Sequence, residues 1–255
     1  MRLAIALAVL VGCKFPHGTS SDNPGGDDAD MSDSPLSDSL TIDTPTTDGS
    51  TMLDASTVTP LLRHDFETDL IGPYTAIYLM SNDAVNHSST AHTGTKSAHC
   101  VTANPAEAQA TLYFNFQTRA QLYASMWIRP STGFPPSDYV MIMTLVDDPA
   151  GIAWNNVAQV SVFPDMRVGV YNNAQGQETL STATLTVNQW HRIEVLYKVS
   201  TNAGRAMLAI DGVVQFDMKN IDTGSLQFHR ILTGIAWQGD PGDATALYLD
   251  DVRLE

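Results

Sequence analysis

The chain has 255 residues, 43% of them hydrophobic, and a formal net charge of −15. That acidity excludes a protein that tracks a phosphate backbone, since no stretch is basic enough to displace its counterions, and no nucleic-acid partner is expected. Only two cysteines occur, so no framework of disulfides holds the fold together.

The first thirteen residues read MRLAIALAVLVGC. Arg2 gives a positive start, and the apolar run from Leu3 to Val11 is shorter than the roughly 20 residues that span a bilayer, so it reads as an export signal. Its end, Leu10-Val11-Gly12-Cys13, resembles the lipobox of bacterial lipoproteins, in which a small residue precedes a cysteine that is diacylated, exposed by cleavage and acylated again. The resemblance implies a signal peptide over 1–12, lipidation of Cys13, and a membrane anchor in which each buried methylene contributes about 0.8 kcal/mol. Lys14 stands where an aspartate retains enteric lipoproteins at the inner membrane, so the resemblance sends the protein to the outer membrane of a bacterial cell envelope, facing the periplasm or the outside. With Cys13 lipidated, Cys100 is left without an intramolecular partner and reads as a small buried apolar residue.

From Lys14 to Pro60 the chain is mostly Ser, Thr, Asp, Pro and Gly, with nine aspartates against the single base Lys14. Aspartates 33, 38, 43 and 48 recur every five residues, but without the Asx-x-Asx spacing and turn glycine of a calcium loop. Such a segment buries too little apolar surface to offset its ordering entropy, so 13–60 is expected to be a lipidated cysteine and a disordered acidic tether. As a flexible coil it would hold the rest of the chain roughly 40 Å from the membrane.

Beyond Pro60 the texture changes to short β-rich runs punctuated by Gly, Pro, Asn and Asp. Strands are expected at 61–67, 74–79, 96–102, 110–116, 121–129, 139–146, 157–163, 167–171, 190–199, 205–210, 213–217, 231–237 and 246–254. Asp211-Gly212 between two apolar runs is a two-residue hairpin signal. Strands at this spacing without helical crossovers predict an all-β domain over 61–255, an antiparallel two-sheet jelly-roll sandwich.

Several segments carry a family resemblance. Ala91-His92-Thr93-Gly94-Thr95-Lys96-Ser97-Ala98, after Asp65-Phe66-Glu67, resembles a turn of bacterial carbohydrate-binding modules. Trp127-Ile128-Arg129-Pro130, Gln189-Trp190-His191-Arg192-Ile193-Glu194-Val195, Ile210-Asp211-Gly212 and Leu249-Asp250-Asp251-Val252 resemble segments of laminin-G-like domains. All belong to the concanavalin A-like group. In that group the first and last strands often share a structural calcium, so the resemblance implies a Ca2+ held by Glu67, the turn at Gly94, and Asp250 or Asp251. Asp250 shares parity with Val252 and Leu254, which points it inward, where a carboxylate needs a partner.

Catalytic patterns are sparse. Retaining glycosidases need two carboxylates about 5 Å apart, and no E-x-D-x-x-E run is present. Val168-Gly169-Val170-Tyr171 echoes the K-x-G-x-Y-x-Q strand of alginate lyases, with Arg167 in the lysine's place and Asn173 in the glutamine's. The companion motifs R-x-E-L-R and Q-[IV]-H are missing, Gln159-Val160-Ser161 lacking the histidine. Alternation instead puts Tyr123, Trp127 and Arg129 on one strand face, Gln159 on another, and Arg167 with Tyr171 on a third, all opposite apolar residues. Aromatic rings cover the C–H faces of a sugar while amides and guanidinium groups bond its hydroxyls. The sequence therefore predicts a membrane-tethered module that binds carbohydrate without catalysis. A divergent polysaccharide lyase or hydrolase and a protein–protein adhesion module are the alternatives.

Overall fold

In the computed structural model the described residues are 59–80, 83–103, 108–131, 133–134, 137–147, 155–238 and 244–255. The signal sequence, Cys13, the acidic linker before residue 59 and Trp154 lie outside them. The strands in chain order are β1 (Leu62–His64), β2 (Ala76–Leu79), β3 (Ala84–Ser88), β4 (Ser97–Val101) and β5 (Ala108–Arg119). Then come β6 (Gln121–Pro130), β7 (Val140–Asp147), β8 (Asn155–Val162), β9 (Arg167–Asn172) and β10 (Gln177–Thr184). The rest are β11 (His191–Lys198), β12 (Gly204–Ile210), β13 (Val213–Ile221), β14 (Phe228–Gln238) and β15 (Ala246–Leu254). No helix occurs among the described residues.

Two antiparallel sheets pack face to face. Sheet A runs β13-β12-β11-β6-β15-β4-β3, with β1 added to β15, and sheet B runs β10-β9-β8-β7-β14-β5-β2. Side chains alternate across each strand, so Leu122, Ala124, Met126 and Ile128 of β6 face Ile142, Leu145, Val160 and Ile231 of sheet B across one core. The expected sandwich is what the chain forms. A second, smaller apolar group, Met141, Val146, Leu232 and Ala236, lies apart from that core on sheet B. This explains why β7 reads as continuously apolar: side chains on both of its faces are buried among apolar neighbours.

The predicted hairpin closes as expected, with Asp211 at φ 52° and Gly212 at φ 79°, the left-handed pair a type I′ turn needs. His191 secures it. Its Nε2 accepts the Thr186 N–H at 2.9 Å, leaving Nδ1–H to donate to Asp211 at 2.8 Å. Cys100 is buried, and burial pushes its thiol up to about 12, in keeping with a small apolar role.

Two strands, β3 and β10, have no counterpart among those expected from the sequence, and each is an edge strand. An edge strand has only one neighbour and more solvent, so its alternation is weak: Gln177–Thr184 has a single fully buried position. The parity assigned to Asp250 is corrected by β15 itself. A register shift separates Asp250 from Arg253, and Asp251 takes φ 46°. This bulge returns Val252 to the core while Asp250 stays opposite Leu249, on the outer face of sheet A beside Trp127.

Candidate functional site

The six residues expected to bind ligand do not share a surface. Tyr123, Trp127 and Arg129 are on β6 in sheet A, whereas Gln159, Arg167 and Tyr171 are on β8 and β9 in sheet B. Each group faces away from the core, so the sandwich separates them.

The sheet A group is engaged in packing. The His92 ring lies on Trp127 with centroids 3.6 Å apart and planes 15° from parallel, and Trp190 meets His92 edge-on at 5.8 Å. Tyr123 donates its hydroxyl to Glu194, which also pairs with Arg192 at 3.0 Å, and burial followed by that carboxylate pushes the phenol upward. Arg129 Nε donates to the Asn188 carbonyl at 2.9 Å, and its guanidinium sits 5.4 Å from the Tyr248 ring centre. Trp127 thereby has the His92 turn packed on its ring.

The carboxylates assigned to calcium do converge on that turn, because β1 pairs with β15. Glu67 Oε1 accepts the N–H groups of Thr95 and Lys96 at 2.8 Å each, and Oε2 accepts the Thr95 hydroxyl at 2.8 Å. The backbone bonds of Lys96 and Thr95 hold its carboxyl below the ordinary range. Gly94, at φ 66°, lets the carboxylate come so close that a Cβ there would lie 2.3 Å from Oε1. Asp250, fully buried, accepts the His92 N–H at 2.8 Å and the Asp251 N–H at 2.8 Å, and burial raises it to about 6. Asp251 meets His92 Nδ1 at 2.8 Å and takes the Thr93 hydroxyl at 3.0 Å. The donors on these oxygens are N–H and O–H groups, not the carbonyl oxygens a calcium shell would need from the turn.

The outer face of sheet B is different in kind. Register aligns Glu178, Tyr171, Gln159, Thr144, Leu232 and Tyr113 across six adjacent strands. The neighbouring row holds Leu180, Gly169, Ser161, Met141 and Trp237. Tyr139 sits 5.5 Å from Trp237 and 5.8 Å from Phe163, forming an aromatic wall at one end. Tyr113, with the Arg230 guanidinium 5.3 Å from its ring centre, stands at the other side. Between them lie Thr144, Gln159 and Ser161, all three buried. Their side chains make no hydrogen bond to another described residue.

Charge on this face is muted. Arg167 Nε is held by Asp165 at 2.6 Å, and Arg230 Nε donates to Asn115 Oδ1 at 2.7 Å. Glu178 lays its carboxyl over the bare backbone of Gly169, beside Leu180 and Phe163 carbons. Desolvation of the carboxyl against these carbons raises it to about 7, although the residue as a whole is exposed. Gln159 and Tyr171 thus stand side by side, on neighbouring strands. Thr144, Tyr113, Tyr139, Trp237 and Glu178 carry no sequence signal of their own, because only the sheet order brings them to the same face.

No family model matches the chain, and no curated protein matches it in sequence. Solved structures do. A protein described as cellulose induced protein Cip1 superposes with a TM-score of 0.57 at 15% identity, over 76% of this chain and 96% of that one. Alginate lyase vAL-1 from Chlorella virus gives 0.54 at 12% identity, over 77% and 99%. The binding domain of botulinum neurotoxin DC, in complex with rat synaptotagmin II, gives 0.52 at 12% identity, over 76% of this chain and 48% of that one. The likeness is one of fold. A superfold of this kind hosts unrelated chemistries, so function must be argued from the site.

Proposed function

We propose that the protein is an envelope lipoprotein, anchored through Cys13, whose sandwich binds carbohydrate on the outer face of sheet B without turning it over. One observation carries the binding. The hydroxyl and amide groups of Thr144, Gln159 and Ser161, without a partner among the described residues, lie in a floor bordered by Tyr113, Tyr139, Tyr171 and Trp237. Hydroxyl-rich ligands with apolar ring faces match such a surface. The likeness to a cellulose-induced protein and to an alginate lyase supports a carbohydrate ligand.

The site favours an uncharged sugar chain over a polyuronate. Glu178 overlooks the floor, Arg167 is neutralised by Asp165, and the chain is acidic overall. A lyase reading rests on Tyr171 standing opposite Gln159, a phenol beside an amide. Among the described residues, the two rows of that floor hold no histidine to act as the base in β-elimination from a uronate, and the cation beside them, Arg230, is engaged by Tyr113 and Asn115. Titration of the purified chain with neutral and uronate oligosaccharides, followed by product analysis, tests the proposal. Saturable binding of a neutral oligosaccharide with the ligand recovered intact supports it. Unsaturated products would establish the lyase. Binding of no glycan, together with a protein partner that survives deglycosylation, would establish the adhesion module.

A further inference from the structure

We infer that the terminal strands of this sandwich are locked by a metal-independent clasp, in which Glu67, Asp250 and Asp251 bind the 92–96 turn through the turn's own donors. The turn is gripped at two ends. Asp250 and Asp251 take the backbone N–H of His92, its Nδ1 and the Thr93 hydroxyl, while Glu67 takes the N–H groups of Thr95 and Lys96 and the Thr95 hydroxyl.

These contacts use the carboxylates in a way that conflicts with a cation. Calcium needs six to eight oxygens at about 2.3–2.6 Å. Here the turn presents the positive ends of N–H dipoles to the carboxylates, which is the field an anion wants and a cation is repelled by. Among the described residues no three carboxylate, histidine or cysteine side chains are grouped so as to share an ion. At Glu67 the carboxylate oxygens are already engaged, Oε1 by the Thr95 and Lys96 N–H groups and Oε2 by the Thr95 hydroxyl. The turn is also seated from below, with His92 stacked on Trp127. Charge-assisted bonds and ring packing thus do what the shared ion does in the modules this chain resembles.

The experiment is thermal unfolding of the full chain in millimolar calcium and in chelator, repeated for Glu67→Gln and Asp251→Asn, with terbium luminescence sensitised by tryptophan as a direct probe for an ion. The expected result is superimposable wild-type melts, no sensitised terbium emission, and a fall in Tm for each variant that is the same in calcium and in chelator. A wild-type Tm that drops in chelator and is restored by calcium would overturn the inference, as would terbium emission abolished by Glu67→Gln. Asp251→Asn keeps the test available if Glu67→Gln fails to fold, because Asp251 is partly exposed and its amide retains an acceptor for Thr93.

Discussion

His92 and Trp127 come from distant parts of the chain, yet their rings lie parallel at 3.6 Å. The contact is enforced from the other side of His92, where Nδ1 meets Asp251 at 2.8 Å. A tryptophan on an outward strand face is therefore packed against a turn, which predicts a structural contribution from its ring. Trp127→Ala should destabilise the domain by about 3 kcal/mol, the low end for losing a buried aromatic side chain because Trp127 is only partly buried. Denaturant unfolding measures this directly. A variant as stable as the wild type would return Trp127 to the candidates for ligand contact.

Gly94 and Gly133 offer a paired test of the clasp. Both have positive φ, 66° and 91°, so alanine at either position incurs backbone strain of about 1–2 kcal/mol. A Cβ at Gly94 also collides with the Glu67 carboxylate, whereas at Gly133 the nearest atom is 4.0 Å away. Gly94→Ala should therefore lower Tm clearly more than Gly133→Ala. Equal losses would mean that Glu67 moves aside freely and adds little to holding the turn.

The fold is legible in the sequence because apolar alternation and turn residues act locally. The runs at 121–129 and 205–210 declare their core faces, and Asp211-Gly212 declares its turn. Edge strands β3 and β10 stay hidden because one-sided pairing leaves them little buried surface to encode. Strand parity misplaces Asp250 because of the bulge at Asp251, where one residue of left-handed backbone reverses the alternation and no composition signal marks it. For the site, each strand shows which residues face outward, but not which sheet the strand joins. That choice is made by non-local pairing, which separates Trp127 from Tyr171 while joining Tyr171 to Thr144 and Tyr113.

Cys13→Ser should release the protein from membranes into the soluble fraction, because acylation needs the thiol and no helix among the described residues is long and apolar enough to cross a bilayer. Fractionation with and without detergent reads the outcome. A variant that still requires detergent would remove the lipid anchor from the proposal.

Glu178 should make the domain less stable as pH rises. Its carboxyl, raised to about 7 in the folded state by burial, ordinarily titrates near 4.5. Between those values the unfolded chain releases the proton that the folded chain keeps, so unfolding is favoured progressively and the effect levels off above about pH 7. Asp250, raised to about 6, adds a slope of the same sign, so the informative quantity is wild type minus variant. Glu178→Gln, neutral throughout, should show a shallower decline between about pH 5 and 7. Identical slopes in the two proteins would place Glu178 in ordinary contact with water.

Gln159 gives the sharpest separation of ligand site from scaffold. Its amide makes no hydrogen bond to another described residue, and it lies between Thr144 and Tyr171 on the outer face of sheet B. Gln159→Ala should leave the melting temperature nearly unchanged. It should weaken binding of a neutral oligosaccharide by about 1–2 kcal/mol, roughly 5- to 30-fold, the net value of one or two amide–hydroxyl bonds. Tyr171→Ala, which removes a ring from the rim, should act in the same direction. Trp127→Ala should do the reverse, lowering stability while the folded fraction binds normally, because Trp127 belongs to the other sheet. Isothermal titration at a temperature well below the variants' melting points compares all three. Loss of affinity in Trp127→Ala with Gln159→Ala unaffected would move the binding face to sheet A.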